Sequence, residues 1–98
     1  MAALDSTCTS ELLAACSGGD LEKVRACLDA GAPASAQDEA SGESALMRAA
    51  STGSAEIVAL LLERGAPWNA LDRRGRCAGE FAVDARSQAC VDLLVNAG

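Results

Sequence analysis

Three arginines, Arg73, Arg74 and Arg76, stand around Gly75 and form the one basic cluster of an otherwise acidic chain. Planar guanidinium forks make bidentate, charge-assisted bonds to carboxylates and phosphates, so three on one short turn suit an anionic patch on a partner. Taken singly, each arginine is better explained as a solvated charge or as the ion-pair partner of Asp72 or Glu80. Taken as a group, they read as a contact. An earlier turn, Gln37 to Glu43, is acidic instead. Two turns of opposite sign would orient one partner and speed its approach; shielding the chain from aggregation explains the acidic turn equally well.

Bond-making chemistry has little to work with. The sequence contains no histidine, which removes the commonest general base, the Ser-His and Cys-His nucleophile pairs and imidazole metal sites together. The neighbouring carboxylates Asp20/Glu22, Asp38/Glu39 and Glu80/Asp84 fall in turns or near helix starts, where negative charge complements unsatisfied backbone donors. Gly18-Gly19 lacks the Lys-Ser/Thr that a phosphate loop requires. The five cysteines, Cys8, Cys16, Cys27, Cys77 and Cys90, are odd in number and show no Cys-Xaa-Xaa-Cys spacing. They read as reduced, small apolar core residues, with Cys8, outside the repeating pattern, the one expected to be reactive. No catalytic residue, cofactor or metal is expected, and the chain is not expected to be an enzyme.

The elements that must carry these residues follow from composition. Ninety-eight residues make one domain. Half of them are apolar and the mean hydropathy is +0.15, enough to build a core. The apolar share is dominated by 22 alanines against one Phe, one Trp and no Tyr, which points to slender, closely packed helices. A net charge of −6 disfavours nucleic acid and anionic membrane surfaces as partners. Met1 to Asp5 resembles no leader, and the longest apolar run, Ile57 to Leu62, is far too short to cross a bilayer. A cytoplasmic or nuclear monomer is expected.

The chain repeats. Leu46 to Gly53 matches Leu12 to Gly19 in form at a step of 34 residues, and Ile57 to Pro67 lies over Lys23 to Pro33 without a gap. A step of 33 then places Gly42 on Gly75, Ser44 on Cys77, Ala49 on Ala82, Val58 on Val91, Leu61 on Leu94 and Gly65 on Gly98. The steps differ because one extra residue separates Asp38 from Gly42 relative to Asp72 and Gly75, an insertion that a loop absorbs cheaply. Each unit reads as an inner helix of about eight residues and an outer one of about ten. Gly31, Gly65 and Gly98 let the chain leave the outer helix in a left-handed conformation, and Pro33 and Pro67 prevent its return. Residues 1–8 form a lead-in, with units at about 9–41, 42–74 and 75–98.

With Gly42-Glu43-Ser44-Ala45-Leu46, Ala49-Ala50, Gly53, Ile57-Val58, Leu60-Leu61-Leu62 and Gly65-Ala66 in place, the chain resembles the ankyrin repeat family over residues 9–98. The resemblance implies an all-α solenoid of stacked helix-turn-helix units with hairpin-like loops. It also implies a non-catalytic module that recognises a protein partner through its fingertips and inner-helix face. Mapped onto this sequence, those surfaces are Arg73, Arg74, Arg76 and Glu43 at the fingertips, Met47, Arg48, Ser51 and Thr52 on the second inner helix, and Glu80, Phe81 and Asp84 on the third. Trp68 is expected to pack between layers, with a binding role as the lesser alternative. The third unit departs from the pattern: Gly79 replaces the residue seen at Leu46 and Arg86 the glycine seen at Gly53. Gly79 costs roughly 1 kcal/mol relative to alanine, so this unit is expected to fray first. Gly65 to Glu80 also resembles the ankyrin-bearing N-terminal region of fungal and plant arginine methyltransferases acting on the delta nitrogen. That resemblance implies an alternative role, positioning a substrate or docking on a catalytic domain.

Overall fold

The structure is a computed structural model that describes the backbone of residues 2–97 and the side chains of residues 9–97. Six helices follow one another: α1 (Ala2–Gly18), α2 (Leu21–Asp29), α3 (Ala45–Ser51), α4 (Ala55–Glu63), α5 (Ala78–Asp84) and α6 (Gln88–Ala97). They stand in two rows. In the inner row α3 packs between α1 and α5; in the outer row α4 packs between α2 and α6, and each outer helix lies against the inner helix before it. The result is a short stack of 38 × 27 × 22 Å.

Small residues make the close stacking possible. Ala15, Ala45, Ala49, Ala50, Ala78 and Ala82 are buried between the inner helices, and Leu12, Leu46, Val24, Ile57, Val58 and Leu61 fill the space between the rows. Cys16, Cys27 and Cys90 are buried among them and Cys77 is half-buried, with no disulfide joining these four. Cys8 lies outside the residues whose side chains are described. Burial, reinforced by neighbouring Cys27, pushes the Cys16 thiol up to about 12, so this sulfur stays protonated and inert at neutral pH.

Helix starts show where the units differ. Asp20 caps α2, its carboxylate accepting from the Lys23 amide at 3.1 Å. Ser44 caps α3 reciprocally: its hydroxyl accepts from the Met47 amide at 3.1 Å while its own amide donates to the Met47 sulfur at 3.3 Å. At the same register α5 starts at Cys77, which makes no side-chain cap. Helix exits behave as expected at Gly31 and Gly65, with φ of 108° and 90°.

One expectation needs correcting. The inner helix of the first unit is not about eight residues long but runs for 17 from Ala2, so the lead-in assigned to residues 1–8 continues α1 for most of its length. The third inner helix spans Ala78–Asp84 with Gly79 inside it. Phe81, at the register of half-buried Arg48, is buried there and brings apolar bulk to a unit that lacks the equivalent of Leu46.

Candidate interaction surface

Two hairpin fingers project from the inner row, one before α3 and one before α5. In the first, Gln37 and Ser44 pair as an antiparallel bridge, and the Asp38 amide donates to the Glu43 carbonyl at 2.8 Å. The Asp38 carboxylate turns the chain by accepting from the amides of Ala40 (2.7 Å) and Ser41 (3.4 Å). In the second, Asp72 has the same task. Its Oδ1 accepts from the amides of Arg74 and Arg76, both at 2.9 Å, and its amide donates to the Arg76 carbonyl. These bonds hold both carboxyls below the usual carboxylate range. The Ala40 and Ser41 amides lead at Asp38, and the Arg76 amide leads at Asp72 with the Arg74 amide behind it.

The fingers are joined to each other and to the stack. The Arg73 amide donates to the Ser41 carbonyl at 3.1 Å, and its guanidinium donates to the Glu39 carbonyl from Nε (3.0 Å) and Nη2 (2.6 Å). This approach needs Gly42, whose φ is 75° and where a Cβ would stand 2.8 Å from the Arg73 amide nitrogen. Arg48 reaches from α3 to Asp38 at 2.7 Å, lies 3.7 Å from the Glu43 carboxylate and donates to the Ser17 hydroxyl at 3.1 Å. One guanidinium thus links α1, α3 and the first finger. Arg76 pairs with Asp72 at 3.3 Å and stacks 4.6 Å above the Phe81 ring, tying the second finger to α5.

The three arginines of the cluster therefore divide. Arg73 and Arg76 are engaged in holding the fingers, whereas the exposed Arg74 guanidinium makes no hydrogen bond or ion pair among the described residues. It borders a cleft of about 340 Å³ between the two fingertips, lined also by Ala40, Ser41, Glu43 and Arg73. A second, polar groove of about 590 Å³ runs between α1 and the first finger, lined by Thr9, Ser10, Leu13, Gln37, Asp38 and Arg48.

A sequence model of the family described as ankyrin repeats matches residues 12–98 in 3 copies. The chain is an ankyrin-repeat protein. No curated protein gives a significant match to it. Ankyrin repeats are generic protein-interaction modules and generally non-catalytic. Among the described residues no helix is long and apolar enough to cross a membrane, and no three metal-ligating side chains converge.

Several residues of the expected surface are placed differently by the ankyrin stack. Met47 is not on the surface at all: it is fully buried, its sulfur accepts from the amide of Ser44, and Leu13 at the same register one unit earlier is buried too. Trp68 does not pack out of sight between layers; it is 45% exposed. Its counterpart in the first unit is Ala34, so a far larger side chain emerges from the same exit turn, onto the wall of an open groove beside α5 and α6. Ser51 and Thr52 are exposed, but their hydroxyls donate to the carbonyls of Arg48 and Ala49 within the helix turn. Asp84 lies away from the fingers and shares a different groove with Trp68 and Glu80. That groove, with exposed Val83 and Val95 on its walls, is a feature sequence reasoning passed over. A signal was there: at a step of 33, Val83 falls on Ala50, which is fully buried, and Val95 on Leu62, which is half-buried.

Proposed function

We propose that this ankyrin stack is a non-catalytic recognition module whose principal contact is the pair of fingertips, with Arg74 gripping a carboxylate or phosphate on a protein partner. The observation that carries this reading is the contrast within the basic cluster. Arg73 and Arg76 fix the second finger through the Glu39 carbonyl, Asp72 and Phe81, and leave Arg74 as an unengaged guanidinium beside the interfinger cleft. A charge held on a pre-formed turn loses little conformational freedom on binding, and its planar fork favours bidentate acceptors. Glu43, half-buried and partly neutralised by Arg48, gives the opposite wall of the cleft its negative charge. Such a partner would be met in the cytoplasm or nucleus by a monomeric stack.

Affinity capture from cell extract with the wild-type chain, Arg74→Ser and Arg74→Glu tests this directly. Arg74 holds nothing in place, so the variants keep the fold, which circular dichroism verifies. Proteins retained by the wild type should be weakened by Arg74→Ser, lost with Arg74→Glu and released by added salt. Equal retention by all three chains would remove the fingertip as the contact.

A further inference from the structure

The end of the stack carries an apolar groove that the fingers do not share. It measures about 680 Å³ and lies between α5 and α6, walled by Trp68, Val83, Val91, Leu94 and Val95. Val83 and Val95 are 62% and 70% exposed, whereas Ala50, at the register of Val83 one unit earlier, is fully buried because α5 lies over it. The molecule itself thus shows what this kind of face accepts: helices laid along it. The rim has a sign. Glu80 and Asp84 border the groove from α5, neither is paired with a cation among the described residues, and Arg86 at the end of that helix does not line it.

We infer that this terminal groove is a second docking site, which takes an amphipathic helix of a partner protein bearing an apolar ridge flanked by lysine or arginine. The ridge would cover Val83, Val95 and the Trp68 ring, as helices seated in apolar grooves do, and the basic flanks would meet Glu80 and Asp84. A second copy of this chain fits less well. Face-to-face pairing would bring four unpaired carboxylates together in a chain of net charge −6. Stacking on the opposite end would meet α1 and α2, which among the residues with described side chains expose Glu11, Glu22, Lys23, Arg25 and Asp29 and no large apolar side chain.

Trp68 is the single tryptophan and lines the groove, so its fluorescence reports occupancy. The probe is a synthetic peptide of about 18 residues, long enough to be helical in water, with leucines spaced along one face and lysines on both flanks; a matched peptide carries glutamates in place of the lysines. The lysine peptide should shift Trp68 emission to the blue and perturb the methyl resonances of Val83 and Val95. It should bind about tenfold more tightly than the glutamate peptide, and the preference should shrink with salt. Val83→Asp and Val95→Asp, on different helices, should each weaken binding about tenfold, and Glu80→Lys/Asp84→Lys should reverse the peptide preference. Arg74→Ser should leave peptide binding unchanged, which separates this site from the fingertips. Equal affinity for the two peptides overturns the inference, as does absence of binding at about millimolar peptide. A wild-type chain that self-associates and becomes monomeric with Val95→Asp would assign the groove to a second copy instead.

Discussion

Arg86 is the one non-glycine residue with positive φ among those described, at 59°, and it stands where Gly53 of the preceding unit has φ of 73°. A side chain in the left-handed region costs roughly 1–2 kcal/mol, while glycine gives back about 0.5–1 kcal/mol through the freer unfolded chain. Arg86→Gly should therefore stabilise the protein by roughly 0.5–1 kcal/mol, read from urea unfolding; a loss of stability would mean that the Arg86 side chain has a role its backbone does not explain. Asp72 gives a prediction in pH. Its carboxyl is held below the ordinary value in the folded state, chiefly by the amides of Arg76 and Arg74. The charged form thus favours folding: the contribution is complete above the ordinary carboxylate pKa of about 4 and is lost as pH falls through the folded value. Melting temperatures of wild type and Asp72→Asn should differ most near neutrality and converge in acid below about pH 4. A gap that persists unchanged down to acid would show that the amide acceptors, and not the charge, are what Asp72 supplies.

At the scale of the elements, α5 differs from α3 in a way that one atom should repair. Cys77 and Ser44 have nearly the same backbone, φ and ψ of −105° and 171° against −86° and 165°, yet only the serine caps its helix. Cys77→Ser places a hydroxyl where it can accept from the Glu80 amide, which already donates to the Cys77 carbonyl at 3.1 Å, and a better-aligned cap should add roughly 0.5–1 kcal/mol in urea unfolding. No gain would mean that the thiol's packing beside Gly79 matters more than the missing cap. The helices and their order were legible in the sequence because the repeat pattern fixes them locally: capping residues, glycine exits and apolar spacing all lie within one unit. The fate of the arginines was legible only in part: Arg76 pairs with Asp72 at 3.3 Å, one of the partners the sequence offered. Which guanidinium is engaged depends on contacts that span the units, Arg73 with the Glu39 carbonyl and Arg48 with Ser17, and no spacing rule within a repeat encodes them. Met47 failed as a surface residue because its register faces the core: Leu13, its counterpart one unit earlier, is buried as well. Trp68 failed because the groove it lines beside α5 and α6 stays open, a tertiary feature that composition does not report.

For the molecule as a whole, stability in a stack is a sum of unit and neighbour terms, so the ends open before the middle unless their own terms compensate. The first unit has compensation in the length of α1, 17 residues against 7 for α3 and α5. The third unit accumulates costs instead: no hydroxyl cap at Cys77, Gly79 inside the helix, a left-handed Arg86 and an outward face on which Val83 and Val95 stand in water. Its inner helix has one inner neighbour where α3 has two. Amides of α5 such as Phe81 and Ala82 should accordingly exchange with solvent about tenfold or more faster than those of Ala49 and Ala50 in α3, at conditions where exchange reports opening. The two helices are equal in length, so the difference isolates their neighbours and local costs from helix size. Combining Cys77→Ser with Arg86→Gly should slow exchange in α5 and α6 toward the rate of α3 while leaving α1 unchanged. If α5 is already as protected as α3 in the wild type, the units open together and the neighbour terms outweigh every local defect of the third.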